Sequence, residues 1–296
     1  MESLFTFPVA LPIIGRRAGL VLAFLLLAAV AEGAHAGGHC RPAEAPGAFP
    51  ADFPRPLDTE WGFRLGGWGG GENGPAPARP PVIFVHGNGQ DASDWDEPGQ
   101  SVRARFRAAG YRGQELWALS YNGQGGSPLT ACRTDNARNV PDLAAFLQAV
   151  LAYTRAPRVD VVAHSLGVTL TRATLKAHPA LAGRVGAFVA IAGPNHGTPL
   201  CAGLAGRQVS CDELAPGSPF LRVLNGPGGE GEALPGIRTL VVASADGSDP
   251  FYPGPWSRSP HLKGAGLLPL PRVGHDGLRL SEAAVTGYLA FLAGSP

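Results

Sequence analysis

The stretch from Val159 to Lys176 restricts the fold more than any other. Val159–Ala163 is a short apolar run of buried-strand type, and Leu166–Lys176 has the pattern of a helix that Pro179 closes. Two residues, His164 and Ser165, separate them. A strand that becomes a helix so abruptly needs a sharp turn, and the residues two before and two after its centre then approach each other. Both must be small, and Ala163 and Gly167 are. Ser165, at the centre, would stand on a strained turn at the C-terminal edge of a sheet. That is the arrangement of a nucleophile elbow, with the Leu166 N–H facing a developing oxyanion. A serine that merely caps the next helix gives the same local wording, so the surrounding elements must decide.

Those elements alternate. Val82-Ile83-Phe84-Val85 and Leu116–Tyr121 read as strands, and Val102–Ala109 as a helix that Gly110 is placed to end. Leu143, Phe146, Leu147, Val150 and Leu151 recur at i, i+3, i+4, i+7 and i+8, one face of an amphipathic helix with Pro141 near its start. Val185–Ala192 and Thr239–Ala243 are further strands, and Leu267–Val273 is a poorer one. Ser281 caps a last helix that runs to about Leu292. Gly193–Pro235 reads mostly as loop. Strands alternating with helices specify an α/β chain with a mostly parallel sheet and helices on both faces. With the serine turn at its centre, this is the α/β-hydrolase fold, in a single domain over 81–296.

Charged residues make up 16% of the chain and its net charge is +1, so no basic face marks a nucleic-acid partner. Two glycine patterns imitate a dinucleotide fingerprint. Gly87-x-Gly89-x-x-Ala92 follows a strand, but Asp91, Asp94 and Pro98 disfavour the helix that motif needs. Gly69-x-Gly71-x-x-Gly74 has no strand before it and is broken by Pro75 and Pro77. No cofactor and no metal are expected, and the Asp91, Asp94, Asp96 cluster reads as a solvated loop.

Residues 1–36 read as an export signal: Arg16 and Arg17, an apolar stretch from Leu20 to Ala31, and Ala34-His35-Ala36 as the cleavage site. That stretch is too short for a comfortable membrane span, so a secreted protein, extracellular or periplasmic, is expected. From 37 to 80 a Gly- and Pro-rich segment reads as an arm over the domain. Four cysteines in an exported chain imply disulfides, with three possible connectivities. Cys201 and Cys211 flank one short stretch, which favours that pair and leaves Cys40 with Cys132.

A serine is a weak nucleophile at neutral pH and needs a base. His275, in Gly274-His275-Asp276-Gly277, lies past the last strand and before the last helix, where the order Ser, Asp, His puts it. His196 at another strand end is the lesser candidate, and His261 lies in an irregular Pro-rich stretch. His164 is expected to point away from the elbow. The orienting carboxylate should follow the strand Thr239–Ala243, where Asp249 and Asp246 both qualify. Asp249 is preferred because Pro250-Phe251-Tyr252-Pro253 would shield it, while Asp246-Gly247 suits a turn. After the first clear strand, His86-Gly87 places Asn88 to give a second oxyanion N–H, with His86 orienting the loop.

Several of these stretches resemble the bacterial class 2 triacylglycerol lipases. They are Phe84-Val85-His86-Gly87, Ala163-His164-Ser165-Leu166-Gly167, Gly193-Pro194-Asn195-His196-Gly197-Thr198, Pro216-Gly217-Ser218-x-Phe220-Leu221-x-x-Leu224-Asn225, and Gly274-His275-Asp276-Gly277-Leu278. The likeness runs from about Pro81 to the C-terminus. It implies a cofactor-free hydrolase of carboxylic esters, with Ser165, His275, Leu166 and Asn88 on the family's motifs. Its acidic turn fits Asp246 or Asp249. The wording His-Gly-Asn-Gly and Ala-His-Ser-Leu-Gly is also similar to extracellular polyhydroxybutyrate depolymerases.

The expectation is therefore a secreted, monomeric lipase or esterase, acting on a small-molecule or lipid ester, with contact to a lipid interface. A polyhydroxyalkanoate depolymerase or an acyltransferase with the same triad is the enzymatic alternative, and a silent binding protein of this fold is the non-enzymatic one. The 193–235 stretch, with Leu204, Leu214, Phe220 and Leu221, is expected to wall the acyl pocket.

Overall fold

In the computed structural model the described residues are 49–54, 66–71, 76–121, 135–206, 208–229 and 232–294. The proposed signal segment, Cys40 and Cys132 lie outside them. The described elements, in chain order, are β1 (Gly66–Gly69), β2 (Val82–Val85), α1 (Val102–Ala108), β3 (Leu116–Ser120), α2 (Asn136–Thr154), β4 (Val159–His164), α3 (Leu166–Ala177), α4 (Pro179–Ala182) and β5 (Val185–Ile191). They continue with α5 (Pro199–Ala202), α6 (Val209–Leu214), α7 (Pro219–Asn225), β6 (Arg238–Ser244), β7 (Gly266–Leu270), α8 (Gly277–Leu280) and α9 (Glu282–Leu292).

The strands form one sheet in the order β1-β3-β2-β4-β5-β6-β7. Every neighbouring pair is parallel except β1 with β3. The central strands carry no polar alternation because both their faces are covered. Ile83, Val85, Val161 and Ala163 join one core with Leu143, Phe146 and Leu147 of α2 and Leu170 and Leu175 of α3. Val82, Phe84 and Val162 join the other with Phe106 of α1 and Val285 and Tyr288 of α9. The period-two division of strand residues between the two cores is the expected sandwich of sheet between helices.

Three features differ from the sequence reading. The Gly-rich stretch before Pro81 supplies β1, an antiparallel edge strand whose Gly67 pairs with Leu119. Its Trp68 is buried and donates to the Ala92 carbonyl at 2.7 Å. A four-residue strand with three glycines has too little side-chain pattern to be recognised. Helix α2 begins five residues before Pro141, where Asp135 caps it by accepting from the Arg138 N–H at 2.8 Å. The stretch 193–235, read mostly as loop, contains the short helices α5, α6 and α7. Each has a proline or a bridged cysteine in place of a long apolar period.

A buried cation organises that stretch. Arg172 of α3 donates to Asn195 Oδ1 at 3.0 Å, Asn225 Oδ1 at 2.9 Å and the Glu232 carbonyl at 3.1 Å. Asn195 and Asn225 answer each other, as Asn225 Nδ2 donates to the Asn195 carbonyl at 2.8 Å. Burial draws the Arg172 pKa down to about 10, partly offset by Glu232, so the group stays charged at neutral pH. A disulfide joins Cys201 of α5 to Cys211 of α6, ten residues apart. Replacing both cysteines by serine is expected to cost about 2–3 kcal/mol on the chain-entropy account of so short a loop. Urea denaturation checks this, and an unchanged midpoint would show that packing alone holds α5 to α6.

Candidate active site

The turn between β4 and α3 is strained in the way its residues foretell. Ser165 has φ 55 and ψ −127, a region that non-glycine residues rarely occupy. Its N–H is tied to the Ile191 carbonyl at 2.8 Å, which fixes the turn to the end of β5. The turn also presses on the end of β2. A Cβ at Gly167 would lie 2.4 Å from the His86 carbonyl oxygen and 2.8 Å from that of Val85. A Cβ at Gly87 would lie 3.1 Å from Ser165 Cβ. Close approach of backbone requires glycine at 167, while Gly87 is crowded by the side chains of Gln90, Ser165 and His164.

Two loops bring a histidine and a carboxylate to this serine. His275, between β7 and α8, has its Nε2 3.0 Å from Ser165 Oγ. Its Nδ1 lies 2.8 Å from Asp249 Oδ2. Asp249 is buried, and its other oxygen accepts the Phe251 N–H at 2.9 Å, so the carboxylate is held on both sides. A carboxylate can only accept from Nδ1–H, which leaves Nε2 as the lone pair facing the serine hydroxyl. Phe251 lies over the His275 ring at 4.3 Å between centroids.

Asp246 is not brought to His275. Its exposed carboxylate accepts from the hydroxyls of Ser244 and Ser248 at 3.0 and 2.6 Å and from the Arg272 N–H at 2.8 Å. The Ser248 hydroxyl and the Arg272 N–H hold its pKa well below the usual range. It shapes the turn and anchors the start of the His275 loop. His196 is not brought to Ser165 either. It faces Glu232 Oε1 at 3.0 Å and the Ser259 carbonyl.

Leu166 begins α3, so its N–H is among the four that find no acceptor within the helix. Asn88 lies across from it at the end of β2, and its side chain donates to Ser210 of α6 at 3.4 Å. His86 controls the peptide between. Its ring is buried and stacked on Tyr121 at 3.9 Å. Burial draws its pKa down to about 4, so the ring is neutral. Nε2 accepts from the Tyr121 N–H, and Nδ1 donates to the Gly87 carbonyl at 2.7 Å. In a trans peptide the C=O and the following N–H point oppositely. Fixing the Gly87 carbonyl therefore fixes the direction of the Asn88 N–H.

Sequence reasoning missed two features. His164, expected to point away, packs against His275 with ring centroids 4.7 Å apart. The Asp91, Asp94, Asp96 stretch is not a free solvated cluster, since each acid has a local partner. Asp91 caps the 3-10 turn Ala92–Trp95, and Asp96 pairs with Arg103 at 2.9 Å. Asp94 lies 3.8 Å from buried Arg279, and burial pushes its carboxyl up to about 7 against the pull of that cation. Among the described residues no group of three His, Cys, Asp or Glu side chains could hold a metal ion.

The profile of the lipase (class 2) family matches residues 79–240. No curated protein matches the sequence. Among solved structures, the lipase BlEst2 of Bacillus licheniformis in its propeptide form superposes with a TM-score of 0.59 at 19% identity, over 77% of this chain and 53% of that one. The mature form gives 0.54 at 17% identity, over 77% and 95%. Lipase B of Aspergillus fumigatus gives 0.52 at 19% identity, over 73% and 52%. The chain thus spans about half the length of the first and third, and at these identities the likeness is one of fold.

The contact of Gly167 with β2 yields a direct test. Gly167→Ala should force backbone apart at the elbow, at a cost of about 1–3 kcal/mol. Thermal unfolding reads the loss, and an unshifted melting temperature would mean that the elbow can widen freely.

Proposed function

Because the chain belongs to the class 2 lipase family, we propose that it hydrolyses carboxylic esters through Ser165, His275 and Asp249. The observation that carries this reading is the aligned chain of contacts from Ser165 Oγ to His275 Nε2 at 3.0 Å and from His275 Nδ1 to Asp249 Oδ2 at 2.8 Å. Ser165 Oγ attacks the ester carbonyl carbon while its proton passes to His275 Nε2. Asp249 keeps Nδ1 protonated and stabilises the imidazolium that forms. The N–H groups of Leu166 and Asn88 receive the oxyanion. The tetrahedral adduct collapses, His275 protonates the leaving alcohol, and the acyl group remains on Ser165. Water then attacks the acyl-enzyme by the same proton path and releases the acid.

The substrate is an ester with an apolar acyl part. Leu200, Leu204 and Val209 on the bridged α5–α6 segment are exposed, as is Phe251 beside His275. Thr198 Oγ1 donates to the Phe251 carbonyl at 2.8 Å, which joins these two stretches. They support an acyl wall, and contact with a lipid interface, beside His275. Export is part of the same proposal, and the Cys201–Cys211 disulfide supports it. Among the described residues no helix is long and apolar enough to cross a membrane.

A fluorophosphonate should label Ser165. Ser165→Ala should abolish the label and lower turnover by about 10⁶, and His275→Ala should do nearly as much because the pair acts as a unit. Labelling of another serine would overturn the assignment. The two aspartates give opposite expectations. Asp249→Asn should lower kcat by about 10⁴ through the wrong imidazole tautomer. Asp246→Asn should change kcat far less, and an equal loss at both positions in steady-state assays would contradict the role given to Asp249.

A further inference from the structure

The residue before the nucleophile makes a contact that the reaction scheme above does not use. His164 ends β4 and is fully buried. Its Nε2 lies 3.3 Å from the backbone carbonyl oxygen of His275. A carbonyl only accepts, so Nε2 carries the hydrogen. The ring is neutral, since burial above all, aided by the positive charge of Arg279, presses its pKa far down against the opposing bond to the His275 carbonyl. Nδ1 therefore has no hydrogen, and it has no hydrogen-bond partner among the described residues. It faces Gly87, where an added Cβ would stand 3.3 Å away. A histidine whose second nitrogen is left unsatisfied in the interior costs free energy relative to an apolar residue of the same shape. The bond it does make has to outweigh that cost.

That bond falls on the loop between β7 and α8, which carries His275. The loop after β7 is held at its start by Asp246, through the Arg272 N–H, and at its end by the turn bond from the Leu278 N–H to the Gly274 carbonyl. Between them, His164 grips the peptide of His275 itself. The His275 ring is packed against His164 at 4.7 Å and against Phe251 at 4.3 Å. It is thus confined on two sides while Asp249 holds one edge. Because His164 and Ser165 are consecutive, the grip also fixes the His275 loop to the same turn that presents the nucleophile.

We propose that His164 is a positioning residue, whose Nε2–H holds the His275 carbonyl so that the His275 ring stays within reach of Ser165 Oγ. The inference rests on the reading of His275 as the base.

The role separates from simple packing by a pair of substitutions. His164→Phe keeps a ring in the cavity and removes the donor. His164→Gln removes the ring and retains an amide N–H at similar reach. Loss of one hydrogen bond, with some misplacement of the base, should lower kcat of the Phe variant between about tenfold and a hundredfold while KM stays within about twofold. The Gln variant should recover most of that kcat. A Phe variant with wild-type kcat, a Phe variant faster than the Gln variant, or a loss confined to KM would overturn the proposal. Should the variants not fold, the wild-type protein still decides it. Nitrogen-15 NMR should show His164 with a hydrogen on Nε2 and a bare Nδ1, and a hydrogen on Nδ1 would refute the contact. Failure of the underlying reading looks different, because His275→Ala would then retain turnover whatever His164 does.

Discussion

The molecule is built around the contact of Gly167 with the carbonyls of Val85 and His86. A chain that turns from β4 into α3 within one residue must fold back against the neighbouring strand, and at 2.4 Å from a carbonyl oxygen only a hydrogen fits. That contact holds the serine turn against the His86–Asn88 turn, so nucleophile and oxyanion donors are set by one packing event. The strain at Ser165, with φ 55, is sustained because strands on both sides over-determine it. The Ile191 carbonyl holds its N–H from one side and the end of β2 stops Gly167 from the other.

Much of this was legible beforehand, and the pattern of success has a physical cause. The central strands and their helices announce themselves because burial on both faces demands unbroken apolar runs, and packing on one face demands the helical period. Ser165 and His275 follow from chain order plus that framework. Asp249 was preferred to Asp246 for its apolar followers, while spacing alone left the choice open, and it is Asp249 that is buried 2.8 Å from His275 Nδ1. The edge strand β1 and the short helices α5, α6 and α7 were not legible. Their conformations come from tertiary contacts: Trp68 on Ala92, the disulfide, and the asparagines around Arg172. The contact of His164 with His275 was not legible from the wording around the serine. The loop that returns to cover it comes from 111 residues further on.

The stretches that carry the family likeness divide into two kinds of work. Ser165, Leu166 and His275 belong to the reacting edge. Asn195 and Asn225, which stand in equally distinctive wording, lie instead around a buried guanidinium. Arg172 offers a planar fork of donors, and two amide oxygens and a carbonyl meet it, while the Glu232 carboxylate turns to His196. The segment bearing α5, α6 and α7 is thereby tied to α3 before its first helix, at Asn195, and at its last, at Asn225. A recognisable motif in this chain is as often a foundation as a reactive group.

The two ends of the sheet have a consequence of another sort. At one margin stands β1, four residues long and mostly glycine, paired on its inner edge with β3. At the other, β7 is largely exposed and includes Pro269, which has no N–H to offer. A strand from a neighbouring molecule needs a long, regular ladder of donors and acceptors to join a sheet, and neither margin presents one. Lateral annealing of further strands is disfavoured at both of these margins.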